Sequence, residues 1–268
     1  MRDVQDRIVR AEGLSLGYRD RTIVESLDLE LLAGGVTVIV GANGCGKSTL
    51  LKGLGRLLAP AGGAVTLDGR ALTEVPAREL ARAIGVLPQQ PIAPDGITVG
   101  DLIGRGRYPH QGLFRRWSAQ DDAAVQEALR LTGTTELAER AVGELSGGHR
   151  QRGWIALALA QDADVMLLDE PTTFLDVAHQ LEVLDLLLQL NREHGRTVVM
   201  VLHDLNLAAR YADRLVVMHE GRIVAEGAPA DVVTPETIEL AFGLPSRVVA
   251  DPVCGSPMVV PIGRFHGA

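Results

Sequence analysis

The chain has 268 residues, of which 46% are hydrophobic and 22% charged, and this composition excludes general disorder. It carries 26 lysines and arginines against 34 aspartates and glutamates, and the net charge of −8 argues against general nucleic-acid binding. Two cysteines, Cys45 and Cys254, are too few for a disulfide framework or a four-thiolate zinc site. We find neither a stretch of signal-peptide type nor a run of 18 apolar residues, so we predict no export and no membrane span.

The order of apolar segments along the chain predicts an α/β fold. Short apolar runs fill residues 7–40 and end in the buried strand 36–40, which a glycine-rich loop and a helix follow directly. Residues 64–68 end in an Asp-Gly pair, which is typical of a hairpin. We then predict helices at 119–140, 149–161 and 181–190, buried strands at 165–169 and 197–202, and a closing hairpin at 215–229. Strands that alternate with helices in this way predict a mostly parallel sheet.

The loop after the strand 36–40 fits the phosphate-binding pattern G-x-x-x-x-G-K-[ST], as GANGCGKS at residues 41–48. Glycines let backbone N–H groups converge on a phosphate, and the following helix directs its positive end at the anion. Lys47 would neutralise the outer phosphates, and the Ser48 hydroxyl would bind Mg²⁺. The alternative is a chance glycine turn, but the strand before it and the helix after it favour nucleotide binding.

Cys45 lies inside this loop and has two interpretations. A helix N-terminus and the neighbouring Lys47 would lower the pKa of its thiol, so that a maleimide would label it faster than Cys254. The alternative, which we favour, is a small residue at one of the variable positions of the loop.

Two carboxylates, Asp169 and Glu170, follow the apolar strand 165–169. Asp169 would hold the Mg²⁺ shell, and Glu170 would act as the general base or position the attacking water. A helix cap or a solvated turn would explain the same residues. The phosphate loop upstream favours the catalytic interpretation.

A third segment, LSGGHRQR at residues 145–152, places a serine and two glycines before a helix and offers a second backbone cradle for anions. This segment lies between the phosphate loop and LLDEP, and the three together resemble the motifs of ATP-binding-cassette (ABC) ATPases. His149 stands where glutamine is usual in the family. We expect this departure to be tolerated, since the anion contacts come from the serine and the glycines.

The resemblance implies further site residues. Tyr18 matches the aromatic that stacks on adenine, Gln89 the glutamine that reaches Mg²⁺ and the attacking water, and His203 the histidine that contacts the γ-phosphate. Gln90 is the weaker candidate of the two glutamines. The residues implied to surround ATP within one chain are Tyr18, Gly41, Asn43, Gly44, Cys45, Gly46, Lys47, Ser48 and Thr49, and those implied to bind Mg²⁺ are Ser48, Gln89 and Asp169.

The family architecture implies a P-loop ATPase with a mostly parallel core sheet, an N-terminal antiparallel β subdomain and an inserted helical subdomain. We expect the ATPase domain over residues 7–245, its helical subdomain at about 93–155, and a C-terminal tail at 246–268. The resemblance also implies a head-to-tail homodimer that needs ATP and Mg²⁺. The residues implied to act on the partner's nucleotide are Ser146, Gly147, Gly148 and Asp176.

Several longer segments of the chain resemble ferric-siderophore importers, which implies a separate membrane permease, an indirect binding-protein partner and a place at the cytoplasmic face of the membrane. Phe174 stands where tyrosine is frequent in that branch. The alternatives are a haem or cobalamin importer of the same family, or a soluble ATPase such as an iron–sulfur assembly subunit. The segments that carry the resemblance are residues 87–109, 151–161, 169–180, 202–211 and 251–261.

Four arginines form a local basic cluster in this acidic chain, Arg105, Arg107, Arg115 and Arg116. They predict either a docking surface for the permease or an ordinary solvated loop. The sequence does not separate the two.

Overall fold

The computed structural model of the protein describes residues 7–19, 21–112, 117–173 and 175–263. The strands are β1 (Val9–Tyr18), β2 (Arg21–Glu30), β3 (Val36–Gly41), β4 (Gly62–Leu67), β5 (Arg70–Ala71), β6 (Ile84–Leu87), β7 (Val165–Asp169), β8 (Thr197–Val201), β9 (Arg214–His219), β10 (Arg222–Gly227), β11 (Ser246–Ala250) and β12 (Pro257–Pro261). The α-helices are α1 (Lys47–Leu54), α2 (Ala77–Ala83), α3 (Val99–Gly104), α4 (Ala119–Leu131), α5 (Gly147–Ala160), α6 (Val177–His194), α7 (Leu205–Tyr211), α8 (Pro229–Val232) and α9 (Pro235–Phe242).

The chain folds into two compact units, and it passes from one to the other after Arg7, after Leu72 and after Val198, which lies within β8. We call residues 8–72 and 199–268 the phosphate-loop unit. The segment LSGGHRQR at 145–152 is called the signature below, and residues 73–198 with the first seven residues, which include it, are called the signature unit.

The phosphate-loop unit contains an antiparallel sheet in the order β2-β1-β4-β5. In the same unit β3 pairs in parallel with β9, from Thr37 opposite Arg214 to Gly41 opposite Met218, and β10 pairs antiparallel with β9. Every residue of β3 is buried, because its run VTVIVG offers apolar side chains to both faces. The predicted strand at 36–40 and the predicted antiparallel β subdomain are therefore confirmed.

The C-terminal residues of the phosphate-loop unit form a hairpin, β11 with β12, that is bonded to α7. Asn206 on α7 exchanges two hydrogen bonds with the backbone of Val259, and Arg210 pairs with Asp251 at 2.6 Å. The bond from Arg210, with backbone N–H groups from the turn, lowers the pKa of Asp251 to about 2. The segment predicted as a tail thus contains regular structure that is held by specific polar contacts.

The signature unit combines two parallel strands with a group of helices. β6 pairs with β7 from Ile84 opposite Val165 to Leu87 opposite Leu168, and both strands are almost entirely buried. Helices α3, α4 and α5 pack against one another. Parallel pairing in both units and helices grouped in the signature unit confirm the predicted α/β class.

Helix α4 is shorter than predicted. It begins at Ala119 behind a capping box that Ser118 and Asp121 form, but it ends at Leu131 rather than near residue 140. Thr132 and Gly133, both poor helix formers, follow Leu131. The apolar pattern continues beyond this point, which is why the sequence predicted a longer helix.

Arg107 does not belong to a surface cluster. It is 2% exposed, and its guanidinium donates to Asp121 at 2.9 Å and to the Ala160 carbonyl at 2.7 Å. Arg107 therefore holds α4 against the end of α5, and it is unavailable to a permease. Arg105 is exposed, while Arg115 and Arg116 lie outside the described residues.

Across the described ranges, no helix is both long enough and apolar enough to cross a bilayer.

Candidate active site

The phosphate loop lies in the phosphate-loop unit, between the buried strand β3 and helix α1. Lys47 opens α1 and is only 5% exposed. Its ammonium group donates to the carbonyl oxygens of Gly41 at 2.8 Å and Ala42 at 3.0 Å. A buried ammonium held at the mouth of a helix N-terminus is a strong binding group for a phosphate anion.

The backbone of the loop requires glycine at its first position. Gly41 has a φ of +154°, and a Cβ placed there would lie 2.2 Å from the carbonyl oxygen of Met218 on β9. Cys45 in turn accepts a hydrogen bond from the N–H of Gly221, in the turn between β9 and β10. The β9–β10 hairpin therefore fixes the loop from two sides.

The other predicted residues of the loop differ in exposure. Asn43 and Gly44 are exposed, Ser48 is half-buried, and Gly46 and Thr49 are buried. A side chain at Gly44 would project into open space, so a ligand can approach the backbone there.

Cys45 is 6% exposed, and its burial raises the pKa of the thiol despite the opposing effect of Lys47. The premise of a reactive thiolate is therefore wrong, because desolvation outweighs the nearby charge. Cys45 instead fills space beside Gly41, as the favoured interpretation held.

We expect a maleimide to label the exposed Cys254 first and to label Cys45 slowly, with or without MgATP. Mass spectrometry of the labelled peptides measures both rates in one sample. Cys254→Ser serves as the control, since it leaves only the slow reaction, and Cys45→Ser should retain most of the ATPase activity. Rapid labelling of Cys45 in the folded chain would contradict the burial.

Tyr18 and His203 also lie in the phosphate-loop unit. Tyr18 ends β1 and is 46% exposed, with the Lys52 ammonium 5.9 Å from its ring centroid. His203 is exposed just after β8, and the next residue, Asp204, caps α7 by accepting from the N–H groups of Asn206 and Leu207. Both aromatic rings are thus presented at strand ends.

The two acidic residues end β7 in the signature unit. Asp169 is 3% exposed and Glu170 is 7% exposed. Glu170 has a φ of +53°, a left-handed conformation that costs a non-glycine residue about 1–3 kcal/mol. Backbone strain of this kind is typical of functional positions.

Glu170 accepts two hydrogen bonds on the same carboxylate oxygen, Oε2. Gln89 donates its amide group at 2.6 Å, and Thr173 donates its hydroxyl at 3.0 Å. The sequence had left two adjacent glutamines as candidates, and the structure brings Gln89 to the carboxylate. Thr173 was missed, although a threonine three residues after a strand-end carboxylate is a recognisable turn signal.

The signature residues cap the N-terminus of α5. Ser146 accepts a hydrogen bond at 3.4 Å from the N–H of His149, and Gly147 and Gly148 form the first turn. The His149 ring also lies 3.2 Å from the Ser146 hydroxyl. Ser146 and Gly147 are exposed, so their polar groups are open to a ligand.

Asp176 caps α6 in the same unit, and accepts hydrogen bonds from the backbone N–H of His179 at 2.9 Å and from its ring at 2.7 Å. These bonds lower the pKa of Asp176. Asp176 therefore stays ionised on the exposed surface. Phe174, two residues earlier, lies outside the described residues.

Strand β3, the glycine loop and the buried Lys47 define a P-loop nucleotide-binding protein. Residues 24–173 match the ABC transporter family. The chain is 54% identical to the achromobactin transport ATP-binding protein CbrD of Dickeya dadantii, over 96% of this chain and 95% of that protein. It is 53% identical to the ferric enterobactin transport ATP-binding protein FepC of Escherichia coli, over 96% and 94%.

Among solved structures, the fold matches a metal-chelate type ABC transporter in an inward-facing conformation, with a TM-score of 0.82 and 29% identity. The match covers 96% of this chain and 98% of that chain. The chain belongs to the ABC transporter family of ATP-binding proteins, and its reaction is the hydrolysis of ATP coupled to transport.

Proposed function

We propose that this chain is the ATP-hydrolysing subunit that powers import of a ferric-siderophore complex through a separate membrane permease. The observation that carries the proposal is the 53% identity, over nearly the full length of both proteins, to an ATP-binding protein for ferric enterobactin transport. The segment at 251–261, which contains none of the residues proposed for hydrolysis, supports the same assignment.

ATP would bind in the phosphate-loop unit. Backbone N–H groups of residues 41–46 and the ammonium of Lys47 would contact the phosphates, Thr49 would support the loop, and Tyr18 would stack on adenine. The exposed Tyr18 ring is available for such stacking. Lys47 already donates to two loop carbonyls, so its ammonium is held close to the atoms that would surround the phosphates.

Ser48, Gln89 and Asp169 would hold Mg²⁺ with a hydroxyl, an amide carbonyl and a carboxylate, which are the oxygen ligands that Mg²⁺ prefers. The orientation of Gln89 fits this role. Its amide nitrogen donates to Glu170, so its carbonyl oxygen is directed elsewhere and can bind the ion. When bound, the ion would neutralise charge that develops on the phosphates.

Glu170 would accept the proton of the water that attacks the γ-phosphate, or would orient that water. The two donors on its Oε2 atom hold the carboxylate in one place, as a group that orients a water must be. His203 would donate a hydrogen bond to the γ-phosphate from the end of β8.

The active form would be a head-to-tail homodimer. Ser146, Gly147, Gly148 and Asp176 would act on the nucleotide of the partner, and the exposure of the α5 N-terminus supports this arrangement. We place the ATPase domain at 7–245 with its helical subdomain at about 93–155, and the complex at the cytoplasmic face of the membrane.

Reconstitution with the co-purifying permease and binding protein tests the proposal. Binding protein loaded with a ferric siderophore should stimulate ATP hydrolysis, and binding protein offered haem or cobalamin should not. Glu170→Gln in the same vesicles controls for a contaminating ATPase. Stimulation by haem or cobalamin alone would assign a different cargo, and failure to co-purify with any membrane protein would favour a soluble ATPase.

A further inference from the structure

Helix α5, which begins at the signature, is hydrogen-bonded to the turn that carries Glu170. Gln151, on the second turn of α5, donates its side-chain amide to the carbonyl oxygen of Pro171 at 2.8 Å. Pro171 directly follows Glu170 and is buried, and Gln151 is half-buried. Both residues belong to the signature unit.

Further hydrogen bonds hold the turn at Glu170. Glu170 has the left-handed backbone described above, and its carbonyl accepts from the N–H of Thr173 at 3.2 Å. Thr173 also holds the carboxylate. Gln151, which lies on a different element, bonds the carbonyl of Pro171 in this strained turn. A displacement of α5 would therefore move the backbone that carries the Glu170 carboxylate.

The same helix carries the signature at its N-terminus. Gln151 is five residues after Ser146, which corresponds to about 7 Å along a helix axis. Helix α5 continues without a break to Ala160, so its first turns move together. A ligand that contacts Ser146 and Gly147 would therefore shift or fix Gln151 as well.

We propose that Gln151 is a positioning residue that couples the signature of a chain to Glu170 of the same chain. The signature would contact the partner's nucleotide, and the bond from Gln151 to Pro171 would then align Glu170 for its own nucleotide. Contact of the signature with the nucleotide in one site would thus align the catalytic carboxylate of the other site. This inference rests on the proposed roles of Glu170 and of the signature.

The chain offers a matched control at the other end of the helix. Gln161 follows the last residue of α5 and donates its side-chain amide to the carbonyl oxygens of Ala81 at 2.8 Å and Ile84 at 3.3 Å. It makes the same kind of bond from side chain to backbone, in the same unit, but to the segment where α2 meets β6. A purely structural role for Gln151 would make the two positions equivalent.

The test compares Gln151→Met with Gln161→Met, since methionine keeps the length of the side chain and removes the donor. We expect similar, small losses in melting temperature for both variants. Gln151→Met should lower kcat by about tenfold with the KM for ATP nearly unchanged, because a misplaced catalytic group mainly slows the chemical step. Gln161→Met should keep kcat. Equal loss of kcat in both variants, or none in Gln151→Met, would overturn the proposal.

A double variant separates this inference from the proposed function. In a Glu170→Gln background, Gln151→Met should not change the single-turnover rate further, because the group that it positions no longer acts. An additional tenfold loss would show that Gln151 works by another route and would overturn the proposal. If Glu170→Gln itself hydrolysed ATP normally, the proposed catalytic role of Glu170 would fail instead.

Discussion

Glu170→Gln is expected to bind ATP with nearly the affinity of the unchanged chain and to hydrolyse it at least about 100-fold more slowly. The amide keeps the shape of the carboxylate but loses the base. Its contacts at Gln89 and Thr173 can persist, because both donors bond one oxygen and an amide keeps one acceptor oxygen. Phosphate release at saturating ATP measures the rate, and sizing chromatography with MgATP should show an accumulated dimer.

Glu193→Gln is a matched control for this variant. Glu193 is exposed near the end of α6 and accepts a hydrogen bond from Gln189, one helical turn away. The Glu193→Gln variant should hydrolyse ATP at the rate of the unchanged chain. Near-normal turnover in Glu170→Gln would remove Glu170 from the catalytic role.

Lys47→Ala is expected to weaken ATP binding itself by about 10- to 100-fold, since a charge-assisted bond to phosphate is lost at a buried position. Titration with a fluorescent ATP analogue measures the dissociation constant directly. Thermal unfolding of the same sample must be compared, because Lys47 also bonds the carbonyls of Gly41 and Ala42. An unchanged dissociation constant in a folded variant would contradict the role of the phosphate loop.

The phosphate loop was predictable because its chemistry is local in sequence. The strand 36–40, the glycines and Lys47 follow one another directly, and the buried strand and helix α1 appear where the pattern placed them. The same holds for the strand 165–169 and its two carboxylates. In a motif of this kind the strand, the loop and the helix are consecutive in the sequence, so the structure around the site can be predicted together with the site.

Contacts between distant segments were not predictable from spacing. Gln89 reaches Glu170 across 81 residues, and only the family resemblance had pointed to it. Gln151 was not singled out in the sequence analysis. Its side chain bonds a backbone carbonyl, which every residue type has, so the identity of the accepting residue gives no sign of the bond. The burial of Arg107 depends in the same way on Asp121, which lies 14 residues later and which the sequence analysis did not single out.

The C-terminal hairpin has a consequence for how this chain can be engineered. Helix α7 starts two residues after His203, and its Asn206 is bonded to Val259 from 53 residues later. A label or fusion that disrupts the pairing of β11 with β12 would remove the bonds between Asn206 and Val259. Helix α7 and the loop before it, which contains His203, would then be less firmly held. Amide hydrogen exchange at the start of α7 thus reports on the integrity of the last strand, and affinity tags are better attached at the other terminus.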